Sequence, residues 1–166
     1  MRVLVISDSH NDYISASLAV KSQLNAKIII HCGDGAYDVD KLRYNFKDRK
    51  IIAVKGNCDF YSDLNKEEII NINGKKIFIT HGDKYKVEYG LENIIEKAKK
   101  IKADVVLFGH THVPMCEYKD GIYILNPGSI KTTRGTYGIL DIESSAVVMN
   151  IIDIDNFYGN LKKKCY

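Results

Sequence analysis

Short polar segments that contain aspartate, asparagine and histidine recur along this 166-residue sequence. Each segment directly follows an apolar run, and one principal side chain of each lies 23 to 29 residues from that of the next. The segments are Ser7-Asp8-Ser9-His10, Gly33-Asp34, Gly56-Asn57-Cys58-Asp59, His81-Gly82-Asp83 and Gly109-His110-Thr111-His112. Because this interval equals one strand–helix or hairpin unit, we expect each segment to return to one edge of a sheet, where sites form in open α/β folds.

The side chains in these segments are typical ligands of transition-metal ions. Two carboxylates, one amide oxygen and four imidazoles give seven candidate ligands: Asp8, Asp34, Asn57, His10, His81, His110 and His112. Seven ligands are too many for one tetrahedral zinc ion, and imidazoles do not suit calcium or magnesium. They suit two transition-metal ions that share a bridging carboxylate and keep open positions for water and substrate. The sequence therefore predicts a dinuclear metal site.

The formal charge of such a site favours a phosphate ester as the substrate. Two divalent ions and two carboxylates leave a net positive charge on the site. A hydroxide and a phosphodiester monoanion neutralise that charge, whereas a hydroxide and a phosphomonoester dianion leave one excess negative charge. The ions would hold the non-bridging oxygens, lower the pKa of the bound water and stabilise the transition state. The charge therefore favours a phosphate ester as the substrate, and it gives a small preference for a diester over a monoester.

The apolar runs and the segments between them predict alternating strands and helices. Strands are expected at Val3–Ile6, Ile28–Ile30, Ile51–Val54, Ile77–Thr80 and Val105–Phe108, and helices at Tyr13–Leu24, Val39–Phe46 and Leu91–Ile101. This alternation predicts a largely parallel sheet with right-handed crossovers. Hairpins are expected around Asn73-Gly74 and in the C-terminal third, so both halves supply strands for two sheets packed face to face.

Composition sets further bounds on the class of protein. The sequence is 45% hydrophobic and 27% charged, which is typical of a soluble globular protein, and its length suits a single domain over residues 1–166. No apolar run is long enough for a membrane span or a signal peptide, so we expect a cytoplasmic location and no membrane partner. The net charge of +3 is too small to favour a nucleic-acid partner.

Two residue types carry structural expectations of their own. The four cysteines, Cys32, Cys58, Cys116 and Cys165, form no closely spaced pair, so we expect reduced thiols rather than a disulfide or zinc framework. The fifth histidine, His31, lies inside an apolar run and is expected to be a hydrogen-bonded interior residue rather than a metal ligand.

The ordered motifs D-x-H, G-D, G-N-x-D, a histidine and G-H-x-H resemble those of the calcineurin-like metallophosphoesterase superfamily over about residues 3–129. The Gly56-Asn57-Cys58-Asp59 segment and the Asn126-Pro127-Gly128-Ser129 loop resemble small prokaryotic phosphodiesterases of the YfcE and MJ0936 type. The resemblance implies an α/β fold: a four-layer α/β/β/α sandwich of two mixed sheets flanked by helices. It also implies manganese, or nickel, cobalt, zinc or iron, as the metal, and a dimer or tetramer as the assembly.

The resemblance also implies a role for each candidate ligand. One ion would be held by Asp8, His10, Asp34 and His112, and the other by Asp34, Asn57, His81 and His110, with Asp34 as the bridge. Asp83 stands where several relatives carry histidine, and we expect it to contact no metal ion.

Besides Asn57, four residues are candidates for catalysis. Many phosphatases of the superfamily carry histidine where Cys58 stands, paired with the acid that corresponds to Asp59, to help stabilise or protonate the leaving group. A thiol is a weaker partner, so we expect good leaving groups such as aryl esters to react best. Asn11 either reaches a phosphate oxygen or shapes the turn, and Arg134 either contacts a substrate phosphate or forms a surface salt bridge.

The leading interpretation is therefore a hydrolase of a small phosphodiester. A nuclease belongs to the same class, although no basic–aromatic stripe indicates one. The alternative is a non-catalytic protein-interaction scaffold, because the expected fold also resembles that of the retromer subunit Vps29, which serves as a platform for partner proteins. Vps29 departs from the ligand pattern, whereas all seven ligand positions are filled here, which favours catalysis. A nucleotide-binding module lacks support because neither glycine-rich phosphate-binding motif occurs.

Overall fold

The computed structural model describes residues 1–131, 134–143 and 146–154, so Cys165 lies outside the described residues. The helices in the described residues are α1 (Tyr13–Ser22), α2 (Ala36–Asn45) and α3 (Glu92–Ile101), with a short 3-10 helix at Asp83–Tyr85. The strands are β1 (Arg2–Ile6), β2 (Ile28–His31), β3 (Lys50–Ala53), β4 (Glu67–Ile72), β5 (Lys75–Thr80), β6 (Val105–Leu107), β7 (Met115–Lys119), β8 (Ile122–Asn126), β9 (Thr136–Ile142) and β10 (Val147–Asp153). Among these elements, no helix has the length and apolar character that a membrane span requires.

The strands form two mixed five-stranded sheets. The first sheet has the order β10-β9-β1-β2-β3, and the second has the order β4-β5-β6-β8-β7. Neighbouring strands are parallel in β1-β2-β3 and β5-β6-β8, and antiparallel at β9, β10, β4 and β7. The expected parallel arrangement thus holds for three strands of each sheet, because the C-terminal segment and the hairpins add two antiparallel strands to each.

The alternation of side chains along each strand builds three cores. Val5 of β1 and Ile79 of β5 pack together between the two sheets, whereas the adjacent Leu4 belongs to the cluster that covers α1 and α2. On the far side, Phe78 of β5 packs in the cluster that contains α3 residues. Successive strand residues point to opposite faces, so one apolar run serves two cores. The predicted four-layer α/β/β/α sandwich is confirmed.

The helix starts show where local sequence signals suffice. Helix α1 begins after Asp12, whose carboxylate accepts a hydrogen bond from the Ser15 N–H at 3.1 Å, as expected for an N-cap. Helix α2 begins at Ala36, three residues before the predicted start. Its first N–H groups are capped by Asp59, a residue 23 positions away from Ala36, at 2.9 Å from the Ala36 N–H. A cap supplied by a distant loop leaves no signal in the neighbouring sequence.

Candidate metal centre

The ends of the parallel strands bring most of the predicted ligands together. Asp8 follows β1, Asp34 follows β2, and His81 follows β5 at the facing edge of the other sheet. In the described residues, three groups of side chains have possible ligand atoms within 4.8 Å of one another. These groups are Asp8 with His10 and His112, Asp8 with Asp34 and His81, and His10 with Asp34 and Cys58. Residues as far apart in the sequence as Asp8 and His112 therefore form one cluster.

The carboxylate of Asp8 lies fully buried at the centre of this cluster. Its Oδ2 accepts a hydrogen bond from the main-chain N–H of His110 at 3.1 Å, but Oδ1 has no hydrogen-bond partner among the described residues. Instead, Oδ1 faces the Nε2 atoms of His112 at 3.2 Å, His10 at 3.9 Å and His81 at 4.0 Å. A buried carboxylate oxygen without a partner is costly in free energy. A cation among these atoms would remove that cost, so the donor set fits a metal ion.

The orientation of His81 is that of a metal-binding histidine. Its Nδ1 lies 2.8 Å from the Cys32 carbonyl oxygen, which can only accept, so Nδ1 carries the proton. The lone pair of Nε2 then points at Asn57 Oδ1, 3.0 Å away, and at Asp34 Oδ2, 3.4 Å away. Burial alone would lower the pKa of His81, but the carboxylates of Asp34 and Asp8 raise it above the ordinary value. The field at this position therefore favours a cation.

Asp34 lies between the two groups of imidazoles. Its Oδ1 accepts a hydrogen bond from the Cys58 N–H at 2.8 Å, and its Oδ2 lies 3.4 Å from His81 Nε2 and 3.9 Å from His10 Nε2. Burial alone would raise the pKa of Asp34, but the His81 side chain and the Cys58 N–H hold it below the ordinary value. An ionised carboxylate that faces both groups is placed as a bridging ligand would be.

In the last histidine segment, His112 lies within the cluster and His110 lies at its margin. The Nε2 atoms of His10 and His112 face each other at 3.3 Å, a contact between two nitrogens that a shared proton or metal ion would favour. His110 packs its ring edge-on against His81, with centroids 5.1 Å apart, but its Nε2 faces Glu88 Oε2 at 3.5 Å. Glu88 belongs to no motif, so its approach to His110 was not visible in the sequence.

The backbone at the cluster is held in a conformation that L-residues rarely adopt. Positive φ angles occur at five of the seven candidate ligands: Asp8, His10, Asp34, His110 and His112. Each left-handed residue that is not glycine costs free energy, and such residues concentrate at functional sites. The loops also approach very closely, since a Cβ on Gly56 would overlap the Asp34 carboxylate and one on Gly109 would overlap Ser7 and Asp8. These loops are therefore shaped for the cluster rather than for local stability.

Comparison with known proteins agrees with this geometry. The family model for the calcineurin-like phosphoesterase superfamily domain matches residues 1–145. The chain belongs to this superfamily. It is 34% identical over 158 residues to the probable metallophosphoesterase YsnB of Bacillus subtilis, covering 92% of this chain and 91% of YsnB. It is 31% identical over 163 residues to the phosphodiesterase MJ0936 of Methanocaldococcus jannaschii, covering 86% of this chain and 94% of MJ0936.

The fold of this superfamily member is also similar to that of Vps29. The structure of Vps29 from Entamoeba histolytica in complex with zinc matches with a TM-score of 0.71 and 24% identity, covering 93% of this chain and 99% of Vps29. This likeness supports the four-layer fold. The family is metal-dependent and its curated members are named as phosphoesterases, which supports hydrolase activity in general terms.

Two side chains of the Asn126-Pro127-Gly128-Ser129 loop support the backbone of the metallophosphoesterase cluster. Asn126 donates from Nδ2 to the Gly109 carbonyl at 2.8 Å, just before His110. Ser129 donates from its hydroxyl to the Asp8 carbonyl at 2.8 Å. The Asn126–Ser129 loop thus fixes the backbone of two ligand-bearing segments. The signal for this role is the Asn-Pro-Gly-Ser motif itself, but its contacts depend on the tertiary fold.

Asp59 acts on the backbone of the metal-binding loops. Its Oδ2 accepts hydrogen bonds from the N–H groups of Asp34 and Gly56, both at 2.9 Å, and its Oδ1 accepts from Ala36 at 2.9 Å. A carboxylate whose two oxygens accept three main-chain hydrogen bonds is directed at the backbone of these loops. This geometry favours a positioning role for Asp59 over the predicted role in leaving-group protonation.

The remaining candidates lie around the cluster. Cys58 is exposed, and its hydrogen bond to Asp34 raises the pKa of the thiol to about 11, so it is a weak proton donor at neutral pH. Asn11 is exposed, lines a cavity beside the cluster and has a φ of 68°, which agrees with either of its two expected roles. Arg134 lies on an exposed turn and does not line this cavity. Asp83 joins none of the ligand groups of the described residues.

His31 is an interior residue, as predicted. The Gly33 N–H donates to its Nδ1 at 3.2 Å, so Nε2 carries the proton and donates to the Ser9 hydroxyl at 3.1 Å. Ser9 in turn donates to Asp38 at 2.5 Å. Burial lowers the pKa of His31 to about 4. Protonation of Nδ1 would break the bond from Gly33, so the folded protein retains the neutral imidazole.

Acid is expected to destabilise the protein through His31. The stabilising effect is complete above the unfolded pKa of 6.5 and is lost as the pH falls to the folded pKa of about 4, since the unfolded chain binds the proton first. The difference corresponds to about 3 kcal/mol. Urea unfolding of metal-free protein at about pH 7.5 and about pH 4.5 measures it, with His31→Gln as the comparison. An equal loss in both proteins would contradict this assignment.

Proposed function

We propose that this superfamily member is a phosphodiesterase that depends on two divalent transition-metal ions. The observation that carries the proposal is the buried Asp8 Oδ1, which has no hydrogen-bond partner among the described residues and faces three imidazole nitrogens. The position of the Asp34 carboxylate between His10 and His81 supports two ions rather than one.

The side chains divide into two sets that share Asp34. Asp8, His10, Asp34 and His112 would hold one ion, and Asp34, Asn57 and His81 would begin the second set. His110 would complete the second set if its imidazole turned away from Glu88. In the structure, His110 Nε2 lies 3.5 Å from Glu88 Oε2. When bound, divalent ions lower the pKa of a coordinated water and neutralise charge on the phosphoryl oxygens. Manganese is the ion we propose first, with nickel, cobalt, zinc and iron as alternatives.

The residues around the ions favour diesters with good leaving groups. Asp59 is occupied by main-chain N–H groups, and the Cys58 thiol has a raised pKa, so neither supplies a proton readily. Esters whose leaving oxygen needs no proton, such as aryl esters, are therefore the substrates we expect to react fastest. The MJ0936 relative is named a phosphodiesterase, which agrees with a diester as the substrate.

Hydrolysis of bis-p-nitrophenyl phosphate tests the proposal. We expect turnover with manganese that is lost on chelation and restored by added metal, together with about two ions per chain by elemental analysis. The chelated protein, shown to be folded by circular dichroism, is the matched control. A folded preparation that is inactive with manganese, nickel, cobalt and zinc would favour the Vps29-like scaffold instead.

Three expectations remain predictions for this superfamily member. They are a single domain over residues 1–166, a cytoplasmic location, and assembly into a dimer or tetramer. Size-exclusion chromatography with light scattering addresses the assembly.

A further inference from the structure

An open groove of about 620 Å³ extends from the metal centre along one side of the molecule. His10, Asp34 and Cys58 line its inner end, so the groove and the candidate metal site are continuous. One wall is a face of α2, where lining residues recur at helical spacing: Tyr37, Asp40 and Arg43. The other wall is the turn that follows Asp59. A cavity of this size suits a small ligand.

Exposed aromatic rings stand on both walls of the groove. Tyr37 is 61% exposed, Phe60 81% and Tyr61 fully exposed, at 103%. Within the described chain, neither Phe60 nor Tyr61 packs against another aromatic ring. Single exposed apolar residues are common, but three large rings around a groove that ends at a metal centre are typical of a binding surface.

The turn that carries Phe60 and Tyr61 is anchored at its base. Asp59, the preceding residue, accepts hydrogen bonds from three N–H groups on two main-chain segments, those of Asp34 and Ala36 on one and of Gly56 on the other. The Ser62 N–H donates to the Asp59 carbonyl at 3.2 Å, and the Lys55 N–H donates to the Asn65 carbonyl at 2.9 Å. These contacts fix the backbone under the rings, so a ligand that stacks on them need not order the loop first.

The charges of the groove oppose a polyanion. Away from the metal centre, the lining carries the carboxylates of Asp40 and Asp63 and a single guanidinium, Arg43, which pairs with Asp40 at 3.8 Å. A nucleic-acid strand would need a row of free cations here to hold successive phosphates. The lining instead suits an uncharged flat group, with one phosphate held at the metal centre.

We propose that this groove binds the base of a nucleoside phosphodiester, with the ring stacked against Phe60 and Tyr61. The proposal rests on the proposed function, because it places the phosphate at the metal centre. Base–aromatic stacking is tolerant of base identity, so the groove selects for the presence of a base rather than for one base.

Calorimetric titration of the manganese-loaded protein with two product-like probes tests the subsite. Adenosine 5′-monophosphate and ribose 5-phosphate share the sugar and the phosphate, so the ratio of their dissociation constants measures the contribution of the base. We expect the nucleotide to bind at least ~5-fold more tightly. Phe60→Ala should lower the ratio, since Tyr61 alone remains for stacking, and Phe60→Ala combined with Tyr61→Ala should bring it close to one. Tyr44→Ala, which removes a 75% exposed ring outside the groove, should leave the ratio unchanged.

The outcomes separate this subsite from the proposed function. Equal affinities for the two probes, binding of neither, or equal effects of Phe60→Ala and Tyr44→Ala would overturn the subsite. Nucleotide binding without measurable binding of ribose 5-phosphate would support it. Hydrolysis of methyl p-nitrophenyl phosphate, which has no base, reports catalysis separately. Failure of that hydrolysis speaks against the phosphodiesterase, while the ratio of affinities still decides the subsite.

Discussion

Replacement of Asp34 by asparagine is expected to lower phosphodiester turnover by more than ~100-fold. Residues that merely support a metal ligand cost about 10- to 100-fold when replaced, and Asp34 is placed to contact both ions directly. Asparagine keeps the acceptor for the Cys58 N–H at Oδ1 but removes the negative charge. It also places a neutral group, 3.4 Å from His81 Nε2, where the second carboxylate oxygen stands.

The measurement combines steady-state hydrolysis of bis-p-nitrophenyl phosphate with the metal content of the same sample. We expect both ions to be lost or weakened together in Asp34→Asn, since Asp34 is the shared ligand. Asp83→Asn makes the same chemical change two residues after His81 without touching the cluster, and should keep close to normal turnover. Retention of more than a tenth of the wild-type turnover in Asp34→Asn would remove the bridging assignment.

The sequence was most informative where one local pattern served two purposes. The run Val3–Ile6 is buried on both faces, so its unbroken apolar character predicted both a strand and its covering layers. The polar residue that follows such a strand must lie at its end. For this reason the strand predictions alone imply that Asp8, Asp34 and His81 converge, as the structure shows.

The features that escaped prediction all depend on distant partners. The early start of α2 requires Asp59 from another loop, and the contact of His110 with Glu88 requires the segment after the 3-10 helix to fold back. The antiparallel outer strands were predicted as hairpins, but their attachment to the inner strands is decided by the two-sheet packing. Local propensity and spacing carry no information on such pairings.

Substitution of Asp8 by asparagine is expected to stabilise the metal-free protein while abolishing its stabilisation by metal. Asp8 Oδ1 is a buried carboxylate oxygen that has no hydrogen-bond partner among the described residues, and burying such an atom costs free energy. An amide nitrogen at this position would donate to His112 Nε2, which is 3.2 Å away. The other oxygen would still accept from the His110 N–H. Removal of one unsatisfied buried group is worth about 1–3 kcal/mol.

Thermal and urea unfolding with and without manganese measure both effects. At a metal concentration of about 100 times the dissociation constant, the wild-type protein should gain about 2.7 kcal/mol, and Asp8→Asn should gain almost none. Asp48→Asn removes an equal charge from an exposed carboxylate that pairs with Lys27 at 3.6 Å and with Arg49 at 3.0 Å; its amide oxygen can still accept from Arg49, so we expect a change in stability of less than about 1 kcal/mol. Higher stability without metal, together with lost stabilisation by metal, would show that Asp8 serves the metal ion. A residue that served only the fold would weaken the metal-free protein when replaced. If Asp8→Asn lowers metal-free stability, the buried carboxylate is not held in place for a cation.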